Sequence, residues 1–195
     1  MRPFLVAALL ALAATAPSAA SAAGKKAAPA PTTTPLPKDT VKKLKSGDDG
    51  QVKAALDDVR MSAKDGAPAV PAVADLLKQG MPMALTITAI ETLGDTESES
   101  ASEVLGFYAR HRDPTVRKAA VAALAKTRGA AATKALRAAL SDPDPAVRGF
   151  AATGLGSLKA KDAVPDLFLA LDHKVAEAAA SIGQLCAGPG CDQLA

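Results

Sequence analysis

Three sets of side chains in this sequence could carry chemistry. His111 and His173 could bind a metal. Cys186 and Cys191 could form a disulfide, a redox pair or part of a zinc site. Asp113, Arg117, Asp144 and Arg148 could present a charged row, since they stand in two matching phrases, Asp113-Pro-Thr-Val-Arg117 and Asp144-Pro-Ala-Val-Arg148. Spacing decides what each set can do. The cysteines bracket Ala-Gly-Pro-Gly. That is not the Cys-x-x-Cys of a redox motif, and two further zinc ligands at suitable spacing are missing. Gly154-Leu155-Gly156 closes a helix and follows no strand, so it does not read as a dinucleotide loop.

The two phrases belong to a longer repeat that must position everything else. Asp113–Arg117 returns as Asp144–Arg148 about 31 residues later, a period of the solenoid kind. Val116, Ala120 and Leu124 match Val147, Ala151 and Leu155, and one step back lie Leu85, Ala89 and Leu93. The intervening helices obey the same step, with Leu105, Leu136 and Leu167 in one column and Tyr108, Ala139 and Ala170 in another. An earlier copy begins at Asp49 with Val52, Lys53 and Leu56. A late one begins at Asp172 with Val175, Ala179 and Ile182-Gly183. The expected fold is all-α, an α-solenoid of stacked antiparallel helix pairs. Single repeats with this much alanine bury too little to stand alone, so stacking must supply the stability.

The Asp-Pro-x-Val-Arg opening, the small residues within the helix and the Leu-Gly ending resemble HEAT repeats. They are most similar to the short bacterial type related to phycobilin-lyase repeats. The resemblance covers roughly residues 49–183 and implies a right-handed stack of helix pairs used mainly to bind proteins. A related group of metal-dependent hydroxylases carries paired His-Glu steps as iron ligands. Here Arg112 and Lys174 follow the histidines, which removes that motif. His111 and His173 stand two periods apart, which at roughly 8–10 Å per helix layer puts them about 20 Å from each other. They read as surface residues at equivalent turns. No catalytic residue, metal ligand or cofactor is assigned, and the protein is not expected to be an enzyme. A phycobilin-lyase-like enzyme or ligand-binding protein is the alternative, by resemblance alone.

In chain order, residues 1–22 read as a secretory signal peptide: Arg2, an apolar run from Phe4 to Ala14, and small residues Ala20-Ser21-Ala22. Residues 23–38 are a linker rich in Pro, Ala and Thr with polyproline character. Residues 39–195 are the repeat array. A short helix over 39–45 is expected, with Asp39 as N-cap and Val41 and Leu44 turned inward, covering the first repeat. A turn follows at 47–50. First-type helices are expected near 51–63, 82–94, 114–127, 145–158 and 173–186. Second-type helices are expected near 68–79, 98–111, 130–141 and 162–171. Asp113 and Asp144 read as N-caps, with Arg117 and Arg148 reaching an acid of an adjacent repeat. Pro68, Pro82, Pro114 and Pro145 fit first turns. The leader places the protein in a bacterial periplasm or outside the cell, where a Cys186–Cys191 disulfide is expected. Residues 191–195 read as the beginning of a further helix, which leaves the C-terminal end of the array weakly covered.

Charge excludes one class of partner. The formal net charge is only +3, one lower once Arg2 leaves with the leader, and both signs are interspersed. That is no basic stripe for nucleic acid, and aromatic residues, at 3%, are too few for base stacking. Lys42, Lys43 and Lys45 read as a solvated face. The remaining reading is an exported module that binds a protein along the outward side of the second-type helices, the side that usually lines the concave surface of a solenoid. At 100° per residue, the face opposite the inward columns carries Glu103, Gly106 and Arg110. One period on it carries Lys134, Arg137 and Ser141, and another period on Pro165, Phe168 and Asp172. Glu103, Arg110, Lys134, Arg137 and Phe168 are the candidate binding residues.

Overall fold

The computed structural model describes residues 35–186. The expected leader 1–22, residues 23–34 of the expected linker 23–38, and the array beyond Cys186 with Cys191 in it lie outside the described residues. Among the described residues every regular element is helical. First-type helices are α2 (Asp49–Ser62), α4 (Met83–Asp95), α6 (Pro114–Leu124), α8 (Pro145–Ser157) and α10 (Glu177–Leu185). Second-type helices are α3 (Val70–Gln79), α5 (Glu99–Tyr108), α7 (Ala130–Ala139) and α9 (Val164–Asp172). The chain stacks them in two rows. In one row α2, α4, α6, α8 and α10 pack in succession, and in the other α3 packs on α5 and α5 on α7. This is the α-solenoid expected from the repeat. A short helix, α1 (Thr40–Leu44), packs against α2 and α3 and so covers the first pair.

The helices begin where side-chain chemistry lets them. Asp113 and Asp144 have extended backbone, and each carboxylate accepts the N–H two residues on, from Thr115 at 2.7 Å and Ala146 at 2.8 Å. Pro114 and Pro145 follow in the first turn, where no backbone donor is required. Pro71 and Pro165 occupy the same place in α3 and α9. Gly129 caps α7 with φ +99°, a left-handed region that costs a glycine nothing.

The buried side runs through both rows. Val116, Ala120, Leu124, Val147, Ala151 and Leu155 are fully buried, as are Ala101, Leu105, Ala132, Leu136, Ala163 and Leu167. Small residues set the spacing. A Cβ built on Gly94 of α4 would stand 2.8 Å from the Cα of Ala123 in α6, so the glycine lets the two backbones meet. Where Tyr108 replaces the alanine of later repeats, its hydroxyl donates to the Leu77 carbonyl of α3 at 2.9 Å. Burial also raises the Tyr108 pKa.

Several local expectations are corrected. Asp39 does not cap α1 through its side chain; its carboxylate pairs with Lys43 at 2.9 Å, one helical turn on. Thr40 rather than Val41 joins Leu44 on the buried side. The helix α2 begins at Asp49, because Asp48 caps it by accepting the Gln51 N–H at 2.8 Å. Pro82 stands outside α4 as its N-cap, and Pro68 lies in a 3-10 segment, Ala63–Ala69, that precedes α3. The last first-type helix begins at Glu177, not near 173. Asp172 ends α9, and the chain reverses through His173 and Lys174, the latter at φ +65°. This copy lacks the Asp-Pro start, so nothing holds the helix to the repeat's register. Ala178, Ser181 and Leu185 are buried, while Ala179 is exposed.

Candidate interaction face

The outward side of the second-type helices is built from the residues that the inward columns leave over. Glu103 and Arg110 of the α5 region and Lys134 of α7 are exposed, as the helical spacing requires. Gly106 faces α7, where a Cβ built on it would lie 3.6 Å from the Cβ of Ala135, an ordinary contact distance. Between the two helices runs an open groove of about 730 Å³. Its lining brings together three of the five candidates, Glu103, Arg110 and Lys134, with Phe107, His111 and Arg112.

Arg137 and Phe168 are placed otherwise. Arg137 bridges α7 to the next repeat, with Nε 2.6 Å from Asp166 and a second contact of 3.5 Å to Asp162. Phe168 is half-buried and packs on the hydrophobic core. The exposed aromatic of this face is Phe107, with 73% of its surface open. It meets the ring of Tyr108 edge to face at 5.5 Å. Phe107 is not among the five candidates because it does not stand directly opposite the core columns. The signal was present one residue beside the Tyr108 column, where the period aligns Phe107, Ala138 and Leu169. All three are exposed.

The remaining chemical candidates are used by the fold. His111 Nδ1 accepts the Asp113 N–H at 3.1 Å, and its ring stacks on Tyr108 at 6.3 Å. One period later Asp142 does the same, accepting the Asp144 N–H at 2.8 Å. The third member of this column, His173, is exposed at the end of α9. Arg117 forms two hydrogen bonds to Asp142, and Arg148 donates to the carbonyls of Asp142 and Pro143. The hydrogen bonds that Arg117 donates to the Asp142 carboxylate hold its pKa above its ordinary value. The Thr115 N–H holds the Asp113 carboxyl below the usual range. Cys186 is half-buried and follows α10 directly; its expected partner, Cys191, lies outside the described residues. Among the described residues no group of three or more His, Cys, Asp or Glu side chains could hold a metal ion. No described helix is long and apolar enough to cross a membrane.

The fold and this face define an α-solenoid whose outward second-type helices carry an open groove. Residues 70–142 match the family of HEAT repeats. The match runs from the first residue of α3 to the aspartate that Arg117 grips, and so supports a HEAT repeat domain in this chain. No curated protein matches the chain.

Proposed function

We propose that this chain is an exported HEAT-repeat module that binds a protein partner along the outward face of α5, α7 and α9. HEAT repeats commonly mediate protein–protein interaction. One observation carries the assignment to this face: Phe107 is exposed beside a groove whose cationic side chains have no ion-pair partner among the described residues. Aromatic and arginine side chains are those most often found at the centre of binding sites. Other surface cations are paired across repeats, as in Lys126–Asp95 at 2.7 Å and Lys64–Glu97 at 3.0 Å. The module acts by binding and not by catalysis. Its leader, residues 1–22, directs it to the periplasm or outside, and Cys186 pairs there with Cys191.

Photo-crosslinking in intact cells tests the face. A crosslinker at Phe107 should yield one dominant adduct, and a crosslinker at exposed Thr153 on α8 should not. Equal or absent adducts at both positions refute the assignment. Export and the disulfide are read together from the intact mass of protein taken from the exported compartment, with and without reductant. A retained leader, or two free thiols, contradicts them.

A further inference from the structure

Given that this face binds a partner, we propose that the segment it receives is an acidic, extended peptide carrying apolar side chains. The charges of the groove point to the first property. Arg110, Arg112 and Lys134 line it, and none forms an ion pair among the described residues. Glu103 is the only carboxylate in that lining. Where the groove continues past Ala138, Asp142 is held by Arg117 and offers no free negative charge. A row of unpaired cations with one opposing acid is complementary to a chain of Asp and Glu.

The exposed apolar column points to the second property. Phe107 and Leu169 are 73% and 60% exposed, and Ala138 lies between them in the repeat. Two layers at roughly 8–10 Å place the outer members about 20 Å apart. An extended chain rises about 3.3 Å per residue, so about six residues span that distance. The segment therefore carries apolar side chains about six residues apart with acids between them. The chain's own linker does not qualify. Residues 24–38 contain Lys25, Lys26 and Lys38 and no acid, so they share the sign of the groove.

Fluorescence anisotropy on the full exported chain tests this with three synthetic peptides. One is rich in Asp and Glu with two Leu residues about six positions apart. In the second Ser replaces Leu, and in the third Lys replaces the acids. The first should bind, and its affinity should fall as salt rises. Arg110→Glu combined with Lys134→Glu should weaken it about tenfold or more, Phe107→Ser by about tenfold, and Lys53→Glu on α2 not at all. Equal binding of the lysine peptide, unchanged affinity in the groove variants, or no saturation below about 1 mM overturns the proposal. So does a crosslink from Phe107 to a second copy of the chain. A Phe107 adduct whose partner segment lacks acids also overturns it while leaving the binding face intact. Loss of the adduct altogether removes the binding face as well.

Discussion

Arg117 and Asp142, twenty-five positions apart, meet in a fork: Nε donates at 2.8 Å to one carboxylate oxygen and Nη2 at 3.0 Å to the other. Both side chains are nearly out of water, at 13% and 8% exposure. Asp142 also accepts the Asp144 N–H, so a single carboxylate ties the start of α6 to the start of α8. The fork has no successor. The Asp142 column continues as His173; among the described residues Arg148 donates only to the carbonyls of Asp142 and Pro143, as Arg117 also does to those of His111 and Arg112. Two arginines in equivalent positions thus serve unequal networks.

The comparison yields its own control. Arg117→Ala should lower the melting temperature by several degrees, because Asp142 is left desolvated without its cation. Arg148→Ala should lower it less. Thermal unfolding followed by circular dichroism measures both. Equal shifts would show that the carbonyl contacts, which the two arginines share, account for the whole effect.

Glycines in two helices should respond in opposite directions. Gly94→Ala forces a methyl to within 2.8 Å of the Ala123 backbone and should cost about 1–3 kcal/mol. Gly183, inside α10, has nothing among the described residues within 4 Å of a built Cβ. Gly183→Ala should therefore stabilise by about 0.5–1 kcal/mol through helix propensity. Urea unfolding of both variants decides it. A neutral Gly94→Ala would mean that the α4–α6 spacing can relax.

Tyr108 contributes a bond that no later repeat can make, since alanine follows in its column. Tyr108→Phe should cost about 0.5–1.5 kcal/mol by removing the hydrogen bond to Leu77. The pH dependence follows from burial, which raises the pKa of the phenol. The stability gained from keeping the phenol protonated is fully present below the unfolded value. It is lost as pH rises through the folded value. Alkaline unfolding should accordingly begin at lower pH in the parent, relative to its neutral stability, than in Tyr108→Phe. Parallel alkaline melting curves for the two proteins would contradict this.

The two phenylalanines of the second-type helices should separate stability from surface. Phe168→Ala should lose about 1–3 kcal/mol, because the ring packs on the core. Phe107→Ala should stay within about 0.5 kcal/mol, because the ring is mostly in water. The reverse order in denaturant titrations would exchange the roles assigned to them.

Sequence alone determined the period, and with it the helix order and the buried columns. The reason is local: Asp-Pro caps and starts a helix using only its own next residues, and the 3.6-residue turn then says which side chains face inward. Leu105, Leu136 and Leu167 follow from spacing without any knowledge of neighbours. Where the local signal fails, so does the register. The copy after Asp172 has no Asp-Pro start, and only packing against α8 and α9 decides that Ala178 is buried and Ala179 is not. The candidate face divides the same way. Glu103, Arg110 and Lys134 point outward because one helix dictates it. Whether an outward side chain is free or engaged depends on the next helix, which the spacing within one helix cannot report. Tertiary structure turned Arg137 onto Asp166 and tucked Phe168 against the core. It left Phe107 exposed beside a groove that forms only where α5 and α7 lie side by side.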